Sequence, residues 1–332
     1  MIKIVDVTIR DGGYENNWNF SLNFVDSLIR GLAEAGIEYI EVGHGYGLGG
    51  ERDFGAMAHT DREYLDLINK ININAKIGMF ANVNICKVDD VKLAGEFGLD
   101  FLRVGFIGYR SPHPMSGLPQ LVGEAKRQGM FVSVNMVLST LYSDKDLLEN
   151  LKFIEDLGSD VIYLVDSTGG MLPNEVTRKI ELLKTNSNIL VGFHGHQNYD
   201  LAVANSLSAV KAGADFVDGT LLGLGRDLGN AQLEILINVL EDSGYNLEID
   251  SMKLVDLTDS VVSSLFERSR GARKQNILMA KYGVMKHSLD LAYKIAEEKK
   301  VDVREVLALM KNKNIHFPTY EEVVGYFVRG NR

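Results

Sequence analysis

His194 and His196 flank a single glycine directly after the apolar run of residues 189–193. Side chains two apart on an extended segment point to one side, so both imidazoles can reach one cation. Histidine pairs that only pack do occur, but here the polar Gln197-Asn198 follows at once. Near the N-terminus another strand-like run, residues 2–9, ends in Arg10-Asp11-Gly12-Gly13. Asp11 offers a carboxylate, and Arg10 a permanent cation suited to an oxyanion. Asp11, His194 and His196, completed by waters or Asn230, make a mixed nitrogen and oxygen donor set. Zinc and cobalt accept such a set, but one carboxylate, two imidazoles and waters favour an octahedral Mn²⁺ or Mg²⁺. A cation there acts as a Lewis acid on a substrate carbonyl and lowers the barrier to an enolate.

Other strand ends contribute to the same face. Tyr14 follows the first strand, and Glu41 and His44 come from the second. Glu41 is also the plain structural partner for Arg10. Asp166 and Ser167, after the sixth strand, and Asn230, which ends the glycine-rich loop 222–230, are candidate substrate contacts. The loop 43–50, with five glycines, is placed to wrap a substrate. His59-Thr60-Asp61 reads as a helix start, with Thr60 or Asp61 as cap. His113, His287 and His316 have no visible partners and are assigned bland roles.

The elements that must position these groups follow a repeated grammar. Gly36-Ile37-Glu38, Gly98-Leu99-Asp100, Gly158-Ser159-Asp160 and Gly213-Ala214-Asp215 each precede an apolar run. The glycine suits the left-handed end of a helix, the acid fills a turn, and the apolar run is a buried strand. Filling the gaps predicts strands at 3–9, 39–43, 75–80, 101–106, 131–137, 161–165, 190–193 and 216–219, with amphipathic helices between. The first helix follows Ser21 as N-cap, with Phe24, Leu28 and Leu32 on one face. Eight such units match a (β/α)8 TIM barrel over residues 1–250. An open doubly wound sheet is the competitor, but its glycine-rich fingerprint after strand one is missing. Residues 251–332 show helical periodicity without strands and read as a helical extension packed on the barrel.

Composition limits the partners. The 332-residue chain carries a net charge of -10, which disfavours nucleic acid and anionic membranes. No apolar stretch approaches a membrane span. Its one cysteine, Cys86, forms no intrachain disulfide and fits a reducing cytoplasm.

At these residues the chain resembles the DRE-TIM superfamily of metal-dependent lyases and aldolases, which includes hydroxymethylglutaryl-CoA lyase, 2-isopropylmalate synthase and 4-hydroxy-2-oxovalerate aldolase. The matching segments are Asp6 to Gly12, Ile40-Glu41-Val42, His194 to Asn198, and Gly229-Asn230. The 4-hydroxy-2-oxovalerate aldolase branch is closest, through His44 to Leu48, His59-Thr60-Asp61 with Glu63-Tyr64, Ala202 to Ser206 and Gly229-Asn230-Ala231. The resemblance implies that Asp11, His194 and His196 bind Mn²⁺ or Mg²⁺ and that Arg10 stabilises a pyruvate enolate. It implies aldol cleavage or synthesis of a 4-hydroxy-2-oxo acid from pyruvate and an aldehyde. It also implies a homodimer, or a complex with an acylating aldehyde dehydrogenase through the C-terminal helices.

Two positions depart from that branch. Its catalytic histidine, two residues after the glycine of Arg-Asp-Gly, is replaced here by Tyr14. The metal and Arg10 are expected to lower the Tyr14 pKa so that it serves as base, with His44 or Tyr282 as substitutes. The branch tyrosine after Gly-Val is here Met285, with Tyr282 one helical turn earlier. Hydroxymethylglutaryl-CoA lyase carries a cysteine in the loop before Gly-Asn, where this chain has Arg226-Asp227. That leaves a Claisen-type enzyme acting on an acyl-CoA as the enzymatic alternative, and a non-catalytic metal-bound scaffold as the other.

Overall fold

The computed structural model describes residues 2–54, 58–108, 117–262, 274–315 and 318–329. Eight parallel strands close into a barrel in sequence order, with the first hydrogen-bonded to the last. They are β1 Lys3–Asp6, β2 Tyr39–Val42, β3 Lys76–Asn82, β4 Phe101–Phe106, β5 Phe131–Met136, β6 Val161–Asp166, β7 Leu190–Gly195 and β8 Phe216–Gly219. Closure excludes the open doubly wound sheet. The glycines ahead of the strands do what the grammar requires. A Cβ at Gly98 or Gly158 would meet nothing within 4 Å, so it is their φ of 79° and 76° that calls for glycine.

Helices α1 Leu22–Glu34, α2 Gly50–Phe54, α3 Asp61–Ile68, α4 Val88–Glu96, α5 Leu118–Arg127, α6 Asp144–Asp156, α7 Pro173–Asn186, α8 Ala202–Lys211 and α9 Leu233–Asp242 accompany the strands. Ser21 caps α1 by accepting from the Phe24 amide. Thr60 caps α3 in a box with Glu63, which settles His59-Thr60-Asp61 as a helix start. One boundary moves. The first strand ends at Asp6, three residues short of the expected end, because the chain turns there. The Asp11 and Gly12 amides both donate to the Val7 carbonyl, and Asp6 accepts from the Thr8 amide and hydroxyl. Arg10 and Asp11 therefore sit in a tight turn across the barrel mouth.

Beyond the barrel lie α10 Ser251–Leu257, α11 Lys274–Tyr282, α12 Lys286–Lys299, α13 Val303–Asn312 and α14 Tyr320–Arg329. Leu254 of α10 joins the main core. The helices α11–α14 instead share a second apolar cluster around Leu289, Ile295, Leu307 and Met310. Among the described residues, no helix is long and apolar enough to cross a membrane.

Alternate strand residues point inward and stack in layers. The lowest layer is aromatic, with Tyr39 edge-on to Phe216 at 5.4 Å and to Phe101 at 5.7 Å. Above it come Glu41, Arg103, Tyr163 and Asp218, all buried. Gly192 is small because Tyr163 fills its place; a Cβ there would lie 2.4 Å from the ring. The histidines of β7 and its end form the next layer, under a cavity of about 490 Å³.

Candidate active site

A closed ring of buried charges underlies that cavity, reaching it through Arg10, Asp11 and His194. Arg10 Nε donates to Glu41 Oε2 at 2.8 Å, and Arg10 Nη1 to Asp11 Oδ2 at 2.8 Å. Asp11 Oδ2 lies 3.4 Å from His194 Nε2, and His194 Nδ1 lies 2.9 Å from Asp218 Oδ2. Arg103 closes the ring by pairing with Asp218 and, at 3.2 Å, with Glu41. The Arg103 guanidinium also sits 4.4 Å over the Tyr163 ring. With neutral histidines, two guanidinium charges face three carboxylates, so the ring keeps one uncompensated negative charge.

That imbalance sits where the metal set was expected. Ligand atoms of Asp11, His194 and His196 all lie within 4.8 Å of one another. Asp11 Oδ1 and His196 Nδ1 are buried without a hydrogen-bond partner, an arrangement that costs free energy unless a cation completes it. Burial would raise the Asp11 pKa, but Arg10 and the two histidines hold it well below the carboxylate range. Burial, then Arg226, keeps His196 neutral. Burial also pushes His194 down, but Asp11 and Asp218 reverse this and raise its pKa, so a cation there competes with a proton. The donor set fits a divalent metal. Asn230, which is not among the cavity-lining residues, bridges to His196 through its backbone, and its Oδ1 is buried without a donor.

The other predicted residues divide. Tyr14 lines the cavity with Arg10 and Asp11. Its ring stands edge-on to Trp18 at 4.6 Å and to Tyr46 at 5.9 Å. Burial, then the Asp11 charge, pushes the phenol pKa up, and Arg226 and Arg10 pull the other way without prevailing. The polypeptide alone therefore does not favour a phenolate. Ser167 lines the cavity while its Oγ accepts from the Leu138 amide. Glu41 is fully buried and touches Arg10 and Arg103, so it positions Arg10.

Three of the predicted residues are not among those that line the cavity. Asp166 accepts from the Gly170 and Met171 amides, holding the loop after β6. His44 is stacked on Trp18 at 4.0 Å, accepts from the Tyr46 amide, and does not line the cavity. Burial lowers its pKa to about 4. Tyr282 packs with the C-terminal cluster and leaves the cavity to Met285, Lys286 and His287 at the start of α12. His287, expected from sequence to have a bland role, lines the cavity, while His113 and His316 lie outside the described residues. Arg103, Asp218 and Arg226 were missed. A charged residue inside each apolar run, Phe101-Leu102-Arg103-Val104 and Phe216-Val217-Asp218-Gly219, was the available signal for the first two.

A comparable cavity of about 460 Å³ opens at the other barrel mouth, around Lys3, Glu38 and Lys76. Lys3 and Lys76 both pair there with Glu38.

Comparison with known proteins bears on this site. The HMGL-like family model matches residues 1–261. A 4-hydroxy-2-oxovalerate aldolase of Carboxydothermus hydrogenoformans is 36% identical over 307 residues, 92% of this chain and 90% of its own. An oxaloacetate decarboxylase of Mycobacterium tuberculosis is 36% identical over 281 residues, 85% of this chain and 82% of its own. Among solved structures, the N-terminal domain of an aldolase candidate from Bacteroides vulgatus superposes with a TM-score of 0.72 at 27% identity. The superposition covers 86% of this chain and 95% of that one.

Proposed function

The chain belongs to the HMGL-like family, and from that premise we propose that it is a divalent-metal-dependent aldolase, a carbon-carbon lyase, interconverting a 4-hydroxy-2-oxo acid with pyruvate and an aldehyde. The observation that carries this reading is the buried Asp11, His194 and His196 set, with Asp11 Oδ1 and His196 Nδ1 unpartnered, beside Arg10 on the cavity floor. Its curated relatives include several 4-hydroxy-2-oxovalerate aldolases.

Asp11, His194 and His196 would hold Mn²⁺ or Mg²⁺, with Asn230 as a further oxygen. When bound, the ion supplies Lewis-acid polarisation of the 2-oxo carbonyl. The protein's own groups do the rest. Glu41 and Asp11 occupy Arg10 Nε and Nη1, leaving Nη2 as the donor for the oxyanion that develops at C2. In cleavage the 4-hydroxyl loses its proton, the C3–C4 bond breaks, and its electron pair passes to C3. Protonation at C3 then gives pyruvate, and the aldehyde leaves. Tyr14 is the proton-transfer group at the C4 oxygen. As a phenol it donates to the alkoxide in condensation, and cleavage runs the same transfer backwards.

A second reading, decarboxylation of oxaloacetate, is favoured by one observation. Loss of CO2 from C4 yields the same enolate but needs no base, which suits a Tyr14 held protonated by burial. One experiment separates the two. The chelator-stripped protein, reconstituted with Mn²⁺, Mg²⁺, Co²⁺ or Zn²⁺, is assayed with pyruvate and a panel of aldehydes, and in parallel with oxaloacetate. Metal-dependent aldol turnover is expected. Turnover of oxaloacetate alone would replace the aldolase reading, and activity that survives chelation would remove the metal from it. Under this reading, a second copy or an acylating aldehyde dehydrogenase would dock on α11–α14. Sedimentation of the purified chain decides whether it self-associates.

A further inference from the structure

The outer part of the cavity differs in chemistry from its floor. Arg10 is held by two charge-assisted bonds, Nε to Glu41 and Nη1 to Asp11. Arg226 is held less firmly. Its Nη2 donates to the Ser167 carbonyl at 3.0 Å, and its Nη1 is shared between Asp227 at 3.2 Å and the Met285 sulfur at 3.7 Å. A thioether is a weak acceptor, so a guanidinium N–H aimed at one inside a cavity is poorly used. An oxygen anion entering there would give it a charge-assisted partner. Lys286 lines the same end, from the first turn of the 14-residue α12, together with His287. Lys286 is paired with Asp290 across one exposed helical turn, a pairing of small worth that an incoming anion can displace.

Arg226 and Lys286 thus approach the cavity from two different elements, the loop after β8 and the start of α12. The cavity is also lined by the neutral Asn82, Asn135 and Tyr14, and by Asp290, the partner that an incoming anion must displace from Lys286. Pyruvate is fixed at the floor by the groups already described, so the half of the substrate that reaches this end is the aldehyde.

We propose that Arg226, with Lys286, forms an anion subsite that selects aldehydes carrying a terminal carboxylate or phosphate. The proposal rests on the aldolase reading above and narrows its substrate class. An anionic aldehyde gains a guanidinium from one side and an ammonium from the other, whereas a neutral one leaves the two cations with the local partners, Asp227 and Asp290, that they already have.

The test uses the Mn²⁺-reconstituted protein with pyruvate and matched aldehydes: succinic semialdehyde against butanal, and glycolaldehyde phosphate against propanal. Wild type is expected to favour an anionic member of these pairs in kcat/KM by at least about tenfold. The preferred pair tells carboxylate from phosphate. Arg226→Met should lower that preference by at least about tenfold, through the KM for the aldehyde, and Arg226→Lys should restore part of it. Lys286→Met gives an independent, smaller loss should the Arg226 variants fold poorly. No preference in wild type, despite measurable turnover of butanal, overturns the subsite. So does an Arg226→Met variant whose KM rises for pyruvate instead, since that places the guanidinium on the pyruvate carboxylate. Absence of turnover with every aldehyde, and of pyruvate proton exchange, would fault the aldolase reading itself.

Discussion

Asp218 does not reach the cavity, yet it fixes what happens there. Its contact with His194 Nδ1 at 2.9 Å holds one tautomer, so Nε2 is left for the ligand position. Its pairing with Arg103 ties that choice to Glu41 and so to Arg10. Asp218→Asn keeps the shape but removes the charge, leaving Arg103 with Glu41 alone. We expect metal affinity to fall by about ten- to a hundredfold, read by Mn²⁺ titration with folding checked by circular dichroism. An unchanged Kd would make Asp218 a structural partner only. Tyr14 is tested by Tyr14→Phe, which removes the hydroxyl and keeps the ring against Trp18. Aldol kcat should fall by at least about a hundredfold. If turnover stays within a few-fold at every pH, Tyr14 is a wall of the pocket. The sequence made the ligand set readable at this scale because H-x-H at a strand end has few other uses. It hid the ring beneath, since Arg103 and Asp218 acquire meaning only when strands β4 and β8 meet across the barrel.

At the level of elements, the glycine-rich loop 43–50 is pinned by the helix that follows it. Asp61, the first residue of α3, accepts from the Gly49 amide at 2.6 Å, and its other oxygen is buried without a donor. Burial pushes its pKa up to about 7; the Gly49 hydrogen bond opposes this, Glu51 and Asp90 add to it, and Arg52 opposes it. The unfolded carboxyl titrates near 3.8. Between those values the folded chain keeps a proton that the unfolded chain has lost. Stability is therefore complete below about pH 4 for this group and declines as pH rises toward 7. Asp6, raised to about 7, and Asp166, raised to about 6, add to the same slope. Asp61→Asn keeps a carbonyl for Gly49 and removes the titration, so its urea midpoint should change less between pH 5 and 8 than that of wild type. Parallel slopes would show that Asp61 is ionised in the fold. Helix and strand positions were legible here because caps and periodicity are local. The early end of β1 was not, since it depends on hydrogen bonds folded back onto Val7.

Apart from the small cluster inside the barrel around Tyr39, Phe101 and Phe216, the described residues gather in two larger apolar clusters. Helix α10 belongs with the barrel through Leu254, and Val262 joins the same core, whereas α11–α14 gather around Leu289, Leu307 and Met310. The family match also stops at residue 261. The two parts still meet at the cavity: Met285 touches Arg226, and a Cβ at Gly170 would lie 2.7 Å from the Ala280 carbonyl. Sequence could not show this, because Met285 has no chemistry of its own until Arg226 faces it. If the clusters are separate cooperative units, damage to one should stay local. Leu307 is fully buried in the second cluster, and Leu307→Ala should cost it about 2–5 kcal/mol. Hydrogen exchange should then lose protection in α12 and α13 while the barrel strands keep theirs. Because the start of α12 lines the cavity, the aldehyde KM should rise with little change at the metal set. Protection lost equally in β1–β8 would instead mean that barrel and C-terminal helices unfold as one unit, with the cavity wall no looser than its floor.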